Sequence, residues 1–174
     1  MRVPSHGRLL GLDFGTKRVG VAVSDVEQRY AAAVTVINRS SAKGDADALL
    51  RIGDEHHVVG LVVGLPVHKS GDEGAKAKQA REFGTWAGRA MNLPVVYWDE
   101  RHSSTIAEGY LISGGASEKR RKATLDAIAA QIMLQSYLDA PDRTVWTAQR
   151  KQNAPSTHST PESGPPLPRE RGQG

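Results

Sequence analysis

The stretch "LLGLDFGTKRVGVAVSD", residues 9–25, holds two apolar runs separated by a short polar segment. This is the pattern of a β-hairpin, with strands over 8–14 and 19–26 around the turn Gly15-Thr16-Lys17-Arg18. In the second run Val19, Val21 and Val23 alternate with Gly20, Ala22 and Ser24, so one strand face is bulky and the other small. In the first run Asp13 stands between Leu12 and Phe14. A lone carboxylate inside a sheet is costly unless something positive is bound to it.

Working outward from the hairpin, "YAAAVTVIN" (30–38) continues the meander as a third strand, and "DADALLRIGDEH" (45–56) makes a short helix. "VVGLVVG" (58–64) is a continuous apolar run bounded by Gly64 and Pro66, as expected of a strand buried on both faces. A helix over 75–91 carries Ala80, Phe83, Ala87 and Ala90 at core spacing, and "PVVYW" (94–98) is the next strand. Ser103, Ser104 and Thr105 offer N-caps for a further helix, with Thr105 and Glu108 spaced as a capping box. Gly114-Gly115 separates that helix from a last one over about 118–139. The order β-β-β-α-β-α-β-α-α predicts an α/β domain. Its mixed five-stranded sheet has an antiparallel three-strand meander, added parallel strands and helices on both faces.

At 174 residues the chain suits one such domain. Residues 8–140 are expected to fold, behind an N-terminal extension over 1–7. From 141 to 174 the texture changes: "NAPSTHSTPESGPPLPRERGQG" has one large aliphatic residue, Leu167, and reads as a Pro/Gly/Ser-rich disordered tail. No apolar run approaches the roughly 20 residues of a membrane span, and "MRVPSHGRLLGLDFG" has no apolar h-region, so neither a membrane partner nor a signal peptide is expected. Cysteine is absent, which excludes disulfides and thiolate sites and fits a cytoplasmic protein. The net charge of +4 mildly favours a phosphate-bearing partner, and Lys119, Arg120, Arg121 and Lys122 concentrate it; a solvated helix entrance is the plainer reading of that run.

Three carboxylates stand where charge is costly. Asp13 is the first. Glu100, in "VVYWDERHSS", follows the carboxyl end of the last strand, where ligands of open α/β sheets usually sit. Asp99 beside it points the other way if the strand continues. Asp126 is in "EKRRKATLDAIAAQIMLQSYL"; at about 100° per residue Gln135 lies about 180° from it, Thr124 about 160° and Gln131 about 140°. Those polar residues mark a wet side, which leaves Asp126 on the packed stripe with Ala129, Ala130, Met133 and Tyr137. Separately, Asp13 can be a turn cap, Glu100 a solvated loop residue and Asp126 the partner of an arginine. Converging on one sheet edge, the three repel one another unless a cation neutralises them. All-oxygen ligands suit Mg²⁺ or Mn²⁺. Lys17, Arg18, Arg101 and the 119–122 run supply cations for phosphates, as does Lys69 in the loop "LPVHKSGDEG" (65–74). Gly15 and Gly20 would let a polymer backbone approach Asp13.

"DFGTKRVGVAVSD", "VVGLP", "DERHSS" and "KRRKATLDAIAAQIML", in this order, resemble the YqgF family of RuvX-like proteins. These are described as Holliday-junction resolvases and as nucleases for the 5′ end of pre-16S rRNA. The resemblance covers about residues 8–138 and implies an RNase H-like fold. It maps the family's acidic triad onto Asp13, Glu100 and Asp126, and the four carboxylates of better-known RNase H-like nucleases make Asp99 or Asp25 a candidate fourth. His68, His102 and Ser104 depart from the family pattern, none at a triad position. The resemblance implies a metal-dependent endonuclease acting on pre-rRNA or branched DNA, as a monomer or weak homodimer. A junction resolvase needs two facing active sites and so a dimer.

Two other classes compete. "GLDFGTKRVGVAV" also resembles the first phosphate loop of actin-like ATPases and sugar kinases, but a unit of about 135 residues lacks their second domain. A nucleic-acid-binding module without chemistry is the other, and the presence of all three carboxylates speaks against it. His56-His57 reads as surface at a helix end, Trp86 and Trp98 as packing, and His102 as a residue near the proposed metals.

Overall fold

The computed structural model describes residues 2–68, 73–99 and 118–143, with side chains in the last helix described from Thr124 onward. The elements are β1 (Arg8–Phe14), β2 (Arg18–Ser24), β3 (Ala31–Asn38), α1 (Ala42–His56), β4 (Val58–Leu65), α2 (Ala75–Met91), β5 (Val95–Asp99) and α3 (Glu118–Asp139). The strands form one sheet in the order β3-β2-β1-β4-β5. β1 pairs antiparallel with β2 and β2 with β3, whereas β4 joins β1 and β5 joins β4 in parallel. This is the expected RNase H-like architecture. The capping-box helix at Thr105 and the glycine pair at 114–115 lie outside the described residues.

Strand alternation divides the core in two. Leu10, Leu12, Val19, Val21, Leu61 and Val63 pack on one face against Leu49 and Ile52 of α1 and Phe83 and Ala87 of α2. Leu9, Ala22, Val62, Val96 and Trp98 pack on the other against Ala130, Met133, Leu134 and Tyr137 of α3. The bulky valine face of β2 therefore meets two helices, and its small face lies beneath one. Gly11 belongs to the α3 face, where an added Cβ would come within 2.8 Å of the Leu134 side chain.

α1 begins at Ala42, three residues ahead of the expected start, because Ser41 caps it by accepting from Gly44 N–H at 3.1 Å. Asp45, at 4% exposure, then serves as an acceptor rather than a helix start: it takes Ser40 N–H at 2.9 Å and Arg39 Nε at 3.2 Å. His57 is the left-handed C-cap of α1, φ 52°, and His56 is the last residue of the helix. Trp98 is buried edge-on to Tyr137, with ring centroids 5.4 Å apart, and Trp86 is half-buried beside Phe83, both as packing residues.

α3 carries one correction. Gln131 and Gln135 were expected to mark its wet side, but both are tied to the start of β3. Gln135 Oε1 accepts from Ala31 N–H at 2.8 Å, and Gln131 Nε2 donates to Ala31 O at 3.1 Å. The helix covers β1, β2 and β3 together, so its flank reaches an edge strand whose backbone groups take amide partners.

Ordered packing continues past residue 140. Arg143 donates to Gln28 Oε1 at 3.0 Å, to Gln28 O at 3.2 Å and to Leu138 O at 2.7 Å. Gln28, at 2% exposure, in turn donates to the carbonyls of Pro4 and Gly7. No described helix is long and apolar enough to cross a membrane.

Candidate active site

Asp13 is at the carboxyl end of β1 and pairs across the ladder with Gly20 of β2. Directly paired residues share a face, so Asp13 and Gly20 both belong to the α3 side. A Cβ on Gly20 would come within 1.9 Å of the main-chain oxygen of Asp126. The helix backbone therefore crosses β2 directly over the residue opposite Asp13. The backbones of Asp13 and Asp126, 113 positions apart in sequence, are thus brought to the same side of the sheet at Gly20.

The glycines act differently from expectation. What approaches Gly20 is the protein's own helix, not a polymer backbone. Gly15 serves the turn, where a Cβ would meet Arg18 O at 2.5 Å.

Asp126 is on the flank of the packed stripe with 32% of its side chain exposed, and it accepts from Arg18 Nε at 2.6 Å. Both sequence readings of Asp126 hold together: it is at the packed face, and it has an arginine partner. Arg18 shares the small face of β2 with Gly20 and Ala22, which is how a hairpin residue reaches a helix 108 positions away. Lys17 is exposed in the turn, with its carbonyl accepting Arg39 N–H at 3.0 Å. Glu100, Lys69 and Arg101 lie outside the described residues, as does His102. The α3 backbone carries Lys119, Arg120, Arg121 and Lys122 one to two turns ahead of Asp126; their side chains are outside the description. The 65–74 loop has its ends closed by a bridge between Val67 and Glu73, and Glu73 pairs with Arg81 of α2.

Neither candidate for a fourth carboxylate is at this rim. Val95 and Tyr97 pack on the α1/α2 side, so Asp99, two residues on and 3% exposed, belongs to the face away from Asp13. Asp25 follows β2 at the opposite end of the sheet, about 16 Å along the strand from Gly20. There it accepts from Arg29 N–H at 2.7 Å and Tyr30 N–H at 2.9 Å. The Tyr30 amide foremost holds its carboxyl below the ordinary 3.8; burial opposes it, and the Arg29 amide adds a lesser lowering.

Among the described residues no three His, Cys, Asp or Glu side chains gather closely enough to hold a metal. Two of the three expected ligands are described, and their chemistry fits a hard cation. Both offer carboxylate oxygens at a half-buried, water-accessible rim, as suits Mg²⁺ or Mn²⁺ retaining several waters.

On the other face of the same edge is a cleft of about 450 Å³ lined by Phe14, Thr16, Arg39, Asp45, Phe83 and Trp86. Sequence reasoning passed over Arg39. Its guanidinium lies 5.3 Å from the Phe14 ring centre and 5.4 Å from that of Phe83, while pairing with Asp45. The signal was present in "NRSSAKGD", where a serine N-cap brings Asp45 back toward Arg39.

The family described as "RuvX: Holliday junction resolvase" matches residues 7–140. A protein of Paracoccus denitrificans, described as a candidate pre-16S rRNA nuclease, is 44% identical over 137 residues, 79% of this chain and 87% of that protein. One of Myxococcus xanthus with the same description is 41% identical over 133 residues, 76% of this chain and 88% of that protein. Among solved structures, Thermus thermophilus RuvC in complex with Holliday junction substrate aligns at 15% identity and TM-score 0.49, covering 76% of this chain and 94% of that one.

Proposed function

Because this chain belongs to the RuvX family of Holliday junction resolvases, we propose that it is a metal-dependent endonuclease that processes the 5′ end of pre-16S rRNA in the cytoplasm. The observation that carries the reading is the crossing of α3 over Gly20, which brings the Asp126 backbone against the residue paired with Asp13. Asp13, Asp126 and Glu100 would hold Mg²⁺ or Mn²⁺. Asp99, turned to the other face, leaves Glu100 as the member of that pair assigned to the site. A bound divalent ion lowers the pKa of its water and stabilises the charge developing on a phosphate. The chain's own residues do the rest. Asp13 and Asp126 would hold the ion beside the reacting phosphate, with Glu100 as a further ligand or orienting the attacking water. Lys17, Arg18, Lys69, Arg101 and the Lys119–Lys122 run hold the flanking phosphates and set the register of the strand.

Cleavage assays decide it. The full chain in Mg²⁺ or Mn²⁺ is expected to cut an RNA bearing a 16S-type 5′ leader, and D13N, E100Q and D126N to lose that activity. Variants that cut like wild type would refute the assignment. The family description supports a second reading, cleavage of a four-way DNA junction. That reading requires a dimer with two facing sites, so cutting of the junction in preference to the RNA, together with a dimeric solution mass, would replace the first.

A further inference from the structure

The ion pair between Arg18 and Asp126 uses only part of each group. Arg18 donates through Nε to Asp126 Oδ2 at 2.6 Å. Among the described residues no other partner is recorded for either side chain. Oδ1 of the carboxylate and the two terminal nitrogens of the guanidinium are therefore not taken up by these residues. Both side chains remain open to water, 34% and 32% exposed, so a solute can reach what is left. Arg18 shares a strand face with Gly20, and Gly20 is paired with Asp13.

We propose that Arg18 is a positioning residue with two simultaneous duties. Its Nε holds Asp126 so that Oδ1 is offered to the divalent cation, while its terminal N–H groups take a phosphate oxygen of the bound nucleic acid. The inference rests on the metal reading above and deepens it, joining one metal ligand to the substrate through a single side chain.

Guanidinium chemistry makes this possible. Its donors lie in a rigid plane, so one part can grip a carboxylate while another faces a phosphate. A lysine ammonium is a point charge that serves one partner or the other. Carboxylates that ligate metals are commonly held by a further hydrogen bond, and losing that support lowers metal affinity by about 10–100-fold. Each phosphate contact contributes about one to the slope of log affinity against log salt. The opposing possibility is that Arg18 competes with the cation for Asp126, in which case its removal tightens metal binding.

The experiment uses the full chain as wild type, R18M and R18K, with thermal unfolding to establish that each variant is folded. In one arm Mn²⁺ is titrated calorimetrically without nucleic acid. In the other, EDTA is present and binding of a labelled RNA with a 5′ leader is followed over a range of salt. R18M is expected to lose about tenfold or more in Mn²⁺ affinity and about one from the salt slope. R18K is expected to recover Mn²⁺ affinity but not the slope. Unchanged or tighter Mn²⁺ binding by R18M overturns the positioning role, and an unchanged slope overturns the phosphate contact. If wild type takes up no Mn²⁺ at all, the metal reading fails and the positioning role with it, whereas the EDTA arm still decides the phosphate contact. Should R18M fail to fold, an R18K slope equal to wild type refutes the double duty.

Discussion

Gly20 on β2 faces the main-chain carbonyl of Asp126 so closely that a methyl group in place of its hydrogen would sit 1.9 Å from that oxygen. No rotamer change relieves such a contact, because both sides of it are backbone. Either α3 lifts from the sheet or the strand bends.

G20A is therefore expected to destabilise the domain by about 3 kcal/mol, at the upper end of overpacking costs, and to separate Asp126 from Asp13. Urea unfolding measures the first effect and cleavage of leader RNA the second. A G20A protein of wild-type stability and activity would show that α3 does not cross there.

Divalent ions are expected to stabilise the folded chain by linkage. At a metal concentration about 100 times the dissociation constant the gain is about 2.7 kcal/mol, which for a domain of this size raises Tm on the order of 10 °C. D13N and D126N should abolish most of the shift in Mg²⁺ or Mn²⁺. D126N also breaks the pair with Arg18, but that pair is a third exposed and contributes at most about 1 kcal/mol in the absence of metal. Differential scanning calorimetry with and without EDTA separates the two effects.

Asp25 is expected to make stability pH-dependent at the acid end. Its folded-state pKa is depressed, chiefly by the Tyr30 amide and then that of Arg29. The stability it contributes is therefore present above the ordinary value of 3.8 and lost as pH falls through the lower folded-state value. D25A should be less stable than wild type at neutral pH, with the gap closing below pH 3.8. Urea midpoints between pH 3 and 6 test this, and a gap that stays constant would refute it.

The family match ends at residue 140, but Arg143 is bonded to Gln28 and Leu138. A chain ending at 143 is expected to match the full chain in stability. One ending at 140 should lose about 1–3 kcal/mol, because Gln28 at 2% exposure is left without the guanidinium partner of its side-chain oxygen. Chemical unfolding of the two truncations makes the comparison.

Much of the fold was legible in the primary structure, and the parts of it and of the candidate site that were not share a cause. Period-two alternation in β1 and β2 and helical spacing in α3 are local properties, so they announced the hairpin, the stranded apolar runs and the carboxylates set against them. Asp99 was also separable from its neighbour by alternation alone. Gln131 and Gln135 were misassigned because a polar residue on a helix looks the same whether it meets water or the backbone of an edge strand. Asp25 was left open as a ligand although the hairpin itself carries its strand away from Asp13, and the antiparallel register puts it at the opposite end of the sheet.

The chain by itself determined that two strands, a short turn and a late helix would each carry a charge unsuited to an apolar setting. Tertiary packing alone decided that α3 crosses at Gly20 and that Arg18 is the group that meets Asp126. The physical reason is range. Periodicity arises between residues a few positions apart, whereas crossing and register are set where surfaces from segments about a hundred residues apart fit together, at a glycine whose only distinguishing feature is the atom it lacks.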